Sequence, residues 1–594
     1  MFKKNTKHQQ PALISAASEL PEKQLKRLEN SWAGIFYREC FCRLNEESFS
    51  VLYSDLPSRP NVPVNILVGL EILKAGNGWS DAEVYENYCY DLQVRYALGL
   101  DRLGDGDFEI RTLYYFRERL SNYNLEKGVN LLEKAFEQIT DAQMMNLKIR
   151  SGMQRMDSTQ IASNIVSASR LQLLVEAVQR IHRILSEEDK RRLAEIFTPY
   201  IQDDAGHYTY RVKGKEAVQE HLQNIGESIY VLLLDLEAKY SAETAYQVLE
   251  RIFSDNFHLL ESKPQPKENI ELTSGCLQSV DDLEATYRTK GTSHYKGYVA
   301  NITETCDPEN ELQLVTKVQV APNNIDDAQL LVEVLPNLKE RTDLDTLYTD
   351  GGYGSPEADH LLQDNQVEQI QTAIRGRIPS AEKLNLSDFE IKLAESKKPT
   401  QITCPQGQST TVHTSSQRES RADEESSSNN GAGKKGYVAH FEAEVCQTCP
   451  LLQKCPAQRG KRDLRFHLRF NQKQINMSQR RQRSQIQLEE GHNLRAAVES
   501  TVRQVKHPFP ASKLPVRGRF RVTCMVIGSA MTTNVRRIQR YLEAKIKLEN
   551  EQTKVLKVQK CSQERPSVSF FALLKIIFRN LLAVFLPYRL KFDW

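Results

Sequence analysis

Three carboxylates far apart along the chain, Asp157, Asp350 and Glu499, each sit in a local setting suited to holding a hard divalent cation. The clearest setting surrounds Glu499. Residues 492–506 read HNLRAAVESTVRQVK, and at a helical period the charged and apolar residues separate onto two faces. With Glu499 at zero, helix geometry puts His492 at about +20°, Arg495 at about −40°, Arg503 at about +40° and Lys506 at about −20°. Leu494, Ala497, Val498 and Val505 fall opposite, with Val502 at the boundary, and Pro508 and Pro510 end the run. An ordinary surface helix fits the same pattern, its Arg495/Glu499 and Glu499/Arg503 pairs contributing a few tenths of a kcal/mol each.

The two aspartates belong to segments that read as strands ending in an acid. In 154–161 (QRMDSTQI) Asp157 lies inside an extended run, and in 344–355 (LDTLYTDGGYGS) Asp350 stands just before two glycines. Gly351 and Gly352 permit a sharp reversal, so Asp350 is expected to project from the end of a strand, where α/β folds place their sites. An Asp-Gly turn and an Asx-type bond are the plain structural readings of these two residues.

Together with the R-x3-E-x6-K spacing of Arg495, Glu499 and Lys506, these segments resemble the DDE transposases of bacterial insertion sequences. His492 stands where many relatives carry Tyr three residues before the Arg. Residues 64–100 and 111–120 are similar to the helical N-terminal domain of such transposases, and the likeness runs from about residue 50 to about residue 545. It implies an α/β (mixed α+β) fold with a ribonuclease-H-like core and a helical N-terminal domain, to which the residue pattern adds a helical insertion and a small Cys-rich insertion. It also implies that Asp157, Asp350 and Glu499 hold Mg²⁺, with Mn²⁺ able to substitute. Physics agrees with that choice, because carboxylates are hard donors and neighbouring strands, about 4.8 Å apart, let them share two ions roughly 3.5–4 Å from each other. His492, Arg495, Arg503 and Lys506 are the candidate DNA contacts, and the partners are double-stranded DNA, as terminal inverted repeats and target, and a second copy in a homodimer. The activity implied is DNA strand cleavage and strand transfer at one site. A ribonuclease-H-like nuclease without strand transfer, and a non-catalytic DNA-binding regulator descended from a transposase, are the rival readings.

Around these residues the sequence predicts a helical N-terminal domain over 1–145, with runs at 66–75, 80–90 and 112–119. A core sheet opens at 150–164 and resumes over 265–375, with strands at 297–304, 312–320 and 367–374 and helices at 325–340 and 356–364. Between its two parts, 165–262 reads as a helical insertion. Then follow a Cys-rich, partly disordered basic insertion (380–485), the Glu499 helix with the end of the core (486–550) and an apolar tail (551–594).

Of 11 cysteines, Cys404, Cys446, Cys449 and Cys455 share the 380–485 segment, as C-P-x-G and then C-x2-C-x5-C-P, a pattern four thiolates use to bind structural Zn²⁺. Unliganded reduced thiols are the alternative. A net charge of +2 over 594 residues does not by itself point to nucleic acid, but 459–521 carries 16 Lys and Arg against 4 Asp and Glu. Basic residues from Lys461 to Arg483, interleaved with Phe466 and Phe470, are therefore expected to meet the DNA backbone, a solvated linker being the other reading. With 40% hydrophobic and 26% charged residues and no apolar leader, the chain reads as a cytoplasmic protein with no membrane partner. The apolar stretch 570–586 is interrupted by Lys575 and Arg579 and reads as a helix packed on a partner subunit, with an interfacial membrane helix the minor alternative.

Overall fold

The structure is a computed structural model that describes residues 1–563 and Lys575, apart from 10–14, 55, 57–58, 103, 167, 202–204, 210–211, 373–381, 395–397, 416–435, 461–463 and 490–493. The apolar stretch 570–586 and His492 thus lie outside the described residues. Two compact units divide the chain, Met1–Val535 and Arg536–Trp594. No helix among the described residues is long and apolar enough to cross a membrane.

The fold is mixed α/β. Its first sheet uses β1 (Met153–Ile161), β2 (Ser293–Thr305), β3 (Val315–Pro322), β4 (Thr346–Thr349) and β5 (Glu368–Gln371) in the order β3-β2-β1-β4-β5. β1, β2 and β3 run antiparallel, whereas β1, β4 and β5 run parallel. A short strand, Thr286–Lys290, extends the start of β2 as a hairpin. The parallel connections are the helices α1 (Asp327–Arg341) and α2 (Pro356–Asp364), as such crossovers require. β2 is the most deeply placed strand, buried without a break from Gly297 to Thr305, which its Val, Ile, Ala and Thr content suits. Met156, Leu331, Leu335, Leu338, Leu347 and Tyr353 form the core beneath β1 and β4.

Ahead of β1 stand the helices Val64–Asn77, Asp81–Tyr90, Leu92–Ala97, Arg111–Lys127 and Leu131–Asn146. Ser80 caps the second of these reciprocally with Glu83. Lys317 on β3 pairs with Glu133 at 2.7 Å and with Glu137, and Arg341 with Asp141 at 2.7 Å, fastening the helix Leu131–Asn146 to the sheet. Between β1 and β2 the helices Arg170–Ile184, Lys215–Tyr240 and Thr244–Asn256 share a separate apolar core around Leu174, Ile181, Ile229 and Leu249.

A second six-stranded sheet, antiparallel throughout, occupies Glu390 to Asn471, where the sequence reading assigned no strands. Its strand Phe466–Asn471 buries Phe466, Leu468 and Phe470 and turns His467 and Arg469 outward. Phe466 and Phe470 are therefore core residues, not rings interleaved with Lys and Arg along DNA; a period of two inside a strand produces the same alternation.

After this sheet come α3 (Gln472–Glu489), α4 (Val498–Lys506) and α5 (Arg519–Gln563). α5 meets the helix Val64–Asn77 at glycines. A Cβ on Gly76 would stand 2.0 Å from Thr532 Oγ1, and one on Gly528 would stand 2.7 Å from the Ala75 Cβ. Thr532 is β-branched and cannot swing aside cheaply. Gly76→Ala is expected to destabilise the protein by about 1–3 kcal/mol through overpacking, read as a lower unfolding midpoint in calorimetry; an unchanged midpoint would show that the two helices separate freely.

Candidate active site

β1 is central, hydrogen-bonded to β2 along 154–161 and to β4 only along 153–155. Beyond residue 155 its β4 side is free of strand pairing, and Asp157 lies there. Its Oδ1 accepts the Ser158 N–H at 3.1 Å, and only 13% of its side chain is exposed. Asp350 follows β4 directly and caps the turn Gly351–Tyr353, accepting the Gly352 N–H at 2.7 Å. Glu499 stands in the first turn of α4, where the helix field favours a carboxylate, and its side chain is 56% exposed.

Arg495 joins these acids. Its Nη2 lies 3.1 Å from Asp157 Oδ1 and its Nη1 3.6 Å from Glu499 Oε1. Burial would lower its proton affinity, but the fields of Asp157, Asp350 and Glu499 outweigh that and raise it. Asp157 is shifted upward, first by burial and also by Asp350, with Arg495 acting in the opposite direction. Asp157 and Glu499, 342 positions apart in sequence, thus lie within 3.6 Å of one guanidinium, and Asp350 acts on it through its field. Among the described residues no three His, Cys, Asp or Glu side chains are placed so that they could hold a metal ion.

The remaining predicted contacts divide. Arg503 is exposed on α4. Lys506 instead turns inward, its Nζ donating to Thr159 Oγ1 at 3.0 Å and to the Gln160 carbonyl at 3.2 Å, and burial lowers its proton affinity. The expected single helix from 492 to 506 is interrupted: Leu494–Ala497 is a 3₁₀ turn and the α-helix begins at Val498. Arg495 therefore reaches Asp157 from a tighter turn than a 100° wheel assumes.

Sequence reasoning missed the network behind these acids. Arg155 on β1 donates from Nε to Glu304 Oε1 on β2 at 2.6 Å and from Nη1 to the Leu494 carbonyl at 2.7 Å. Thr501 on α4 donates to the other Glu304 oxygen at 2.6 Å. Tyr353, fully buried, donates to Asn301 Oδ1 at 2.7 Å, and Ser158 donates to Asp327 Oδ1 at 2.7 Å. Burial first, then Asp327, Asp157 and Asp350, push the Tyr353 hydroxyl well above its ordinary range, so it stays neutral beside the acids. A Glu closing the buried run GYVANITE was the available signal, because a charge in such a strand needs a partner.

Cys404, Cys446, Cys449 and Cys455 are free thiols, and Cys404, Cys446 and Cys455 pack against the core of the second sheet. Burial raises Cys446 and Cys455; Cys404 and Cys449 add to both shifts, and Cys455 adds to that of Cys446.

Residues 403–539 match the family model described as Transposase DDE domain. The match supports a DDE transposase. It spans Arg495, Glu499 and Lys506 and begins beyond Asp157 and Asp350. No curated protein and no solved structure matches the chain.

Proposed function

We propose that the chain is a DDE transposase that cleaves DNA strands at the ends of an insertion sequence and transfers them to target DNA, with Asp157, Asp350 and Glu499 as the ligands of Mg²⁺. The observation that carries this reading is the meeting of Asp157 and Glu499 at the Arg495 guanidinium, within the field of Asp350. The strand order β3-β2-β1-β4-β5, with its antiparallel half and parallel half, supports a ribonuclease-H-like core.

The donor chemistry suits a hard divalent cation: three carboxylates, one of them shifted upward by burial and by Asp350, although as placed, with Arg495 among them, they do not close on a common point. Bound there, the ions would supply Lewis-acid activation of water or a DNA 3′-hydroxyl and stabilisation of the leaving oxygen. The protein supplies position. Asp157 is fixed by the central strand, Asp350 by its own turn, and Glu499 by a helix whose Val498, Thr501 and Val505 are buried against the core. Arg503, exposed one turn beyond Glu499, is placed to meet the DNA backbone.

The test is strand transfer of a labelled terminal duplex into plasmid DNA, with Mg²⁺, with Mn²⁺ and with chelator. Joined products with either ion and none with chelator are expected. Cleavage with no joining would favour the plain nuclease, and binding without either reaction would favour the regulator. For Cys404, Cys446, Cys449 and Cys455 we propose structural zinc, on the chemistry of four thiols lying in one another's field. Elemental analysis should find about one zinc per chain, lost in Cys449→Ser. Purified protein free of zinc would remove that proposal.

A further inference from the structure

We propose that Arg495 is the resident cation of the carboxylate cradle, and that a DNA phosphate draws it away before divalent ions load, so that the site takes up metal on DNA and resists it otherwise. This rests on the three acids being the metal ligands, as proposed above.

Arg495 lies against two of the carboxylate oxygens such ions would need. Its Nη2 is 3.1 Å from Asp157 Oδ1, with Glu499 Oε1 at 3.6 Å from Nη1. Magnesium would need those oxygens at about 2.0–2.1 Å, and a guanidinium and a divalent ion on the same oxygens repel each other. The two occupancies therefore compete.

Arg495 is also incompletely satisfied where it lies. The 3.6 Å approach to Glu499 is too long for a hydrogen bond, and its Nε is buried with no acceptor among the described residues. A phosphate offers the guanidinium two parallel charge-assisted bonds. Of the groups in the cradle, Asp157 and Asp350 are fixed, whereas Arg495 and the exposed Glu499 can exchange partners. Asp157 is held by the central strand and Asp350 by its own cap, while Arg495 is a long side chain on a four-residue 3₁₀ turn. That turn itself is pinned, because the Arg155 Nη1 holds the Leu494 carbonyl at 2.7 Å. The backbone of the turn is thus held, and what exchanges is the Arg495 side chain. Its departure leaves three acids without their cation, which raises their attraction for divalent ions at the moment the substrate phosphate arrives.

The test is calorimetric titration of Mn²⁺ into the full chain, at low salt, with and without a short duplex of arbitrary sequence. Without DNA, Arg495→Gln should bind Mn²⁺ about tenfold more tightly than wild type or better, as expected when a full charge a few ångströms from the carboxylates is removed. Arg495→Lys, which keeps the charge but loses the fork, should stay close to wild type. The duplex should tighten binding by wild type and change Arg495→Gln little. Equal or weaker binding by Arg495→Gln, or no effect of duplex on wild type, overturns the inference. The double variant Arg495→Gln with Asp157→Asn should lose the gain. If Asp157→Asn lowers Mn²⁺ affinity in wild type but Arg495→Gln gives no gain, this inference alone fails; if Asp157→Asn changes neither background, the carboxylate assignment fails as well.

Discussion

Asp157→Asn is expected to lower Mg²⁺-dependent cleavage of terminal-repeat DNA by about 10³-fold, the upper end of what losing one preorganised electrostatic group costs. Asp350→Asn should match it. DNA binding, measured by fluorescence anisotropy, should change little in either. The stability of Asp157→Asn separates a site from a scaffold. Asp157 has a folded-state pKa above its ordinary value, mainly through burial. The folded chain therefore binds that proton more tightly than the unfolded chain. Above the folded value, the buried charge is a constant cost to stability. As pH falls from that value toward the unfolded value near 3.8, wild-type stability at this residue rises. Asparagine has no such charge, so the variant should be at least as stable as wild type at neutral pH, with the difference shrinking as the medium is acidified. A variant that unfolds at neutral pH would show that Asp157 mainly anchors Arg495, and one that still cleaves would remove it from the site.

The three acids were legible because each has a local signature. Asp157 sits in a run of extended residues, Asp350 precedes paired glycines, and Glu499 shares a stripe with charged neighbours while Val498 and Val505 take the buried side. Local patterns carry no information about partners far along the chain. Nothing within QRMDSTQI says that Arg155 will find Glu304, 149 positions away, and nothing near Glu499 says that Arg495 will lie inside the cradle rather than out on DNA. Lys506 shows the same limit: its place on the polar stripe was readable, but Thr159 and Gln160 capture it from another element. The second sheet was missed for a different reason. Its strands are short, four to seven residues apart from the two-residue Gln458–Arg459, and set among Ser, Thr, Lys and Glu, so the composition read as linker while the FHLRF alternation was attributed to DNA contact.

Glu304→Ala should destabilise the protein by about 3–5 kcal/mol, the range for stranding one half of a buried ion pair. The Glu304 side chain is fully buried and that of Arg155 only 10% exposed, so water cannot take over the lost contact. The same substitution frees two further elements. Thr501 loses the carboxylate that holds α4, and Arg155, no longer fixed at Nε, holds the Leu494 carbonyl less firmly. Thr501→Val removes only one of these links and should cost about 1–3 kcal/mol. Calorimetry of both variants should give unfolding midpoints in that order. Activity discriminates further, because Thr501→Val leaves every proposed metal ligand in place while loosening the helix that carries Glu499. Its cleavage rate should fall while Asp157 and Asp350 remain intact, and excess Mn²⁺ should recover part of it by repopulating the liganded position of Glu499. A Thr501→Val protein with wild-type stability and rate would mean that Val498 and Val505 alone hold α4, and that the Arg155–Glu304 pair serves the sheet without serving the site.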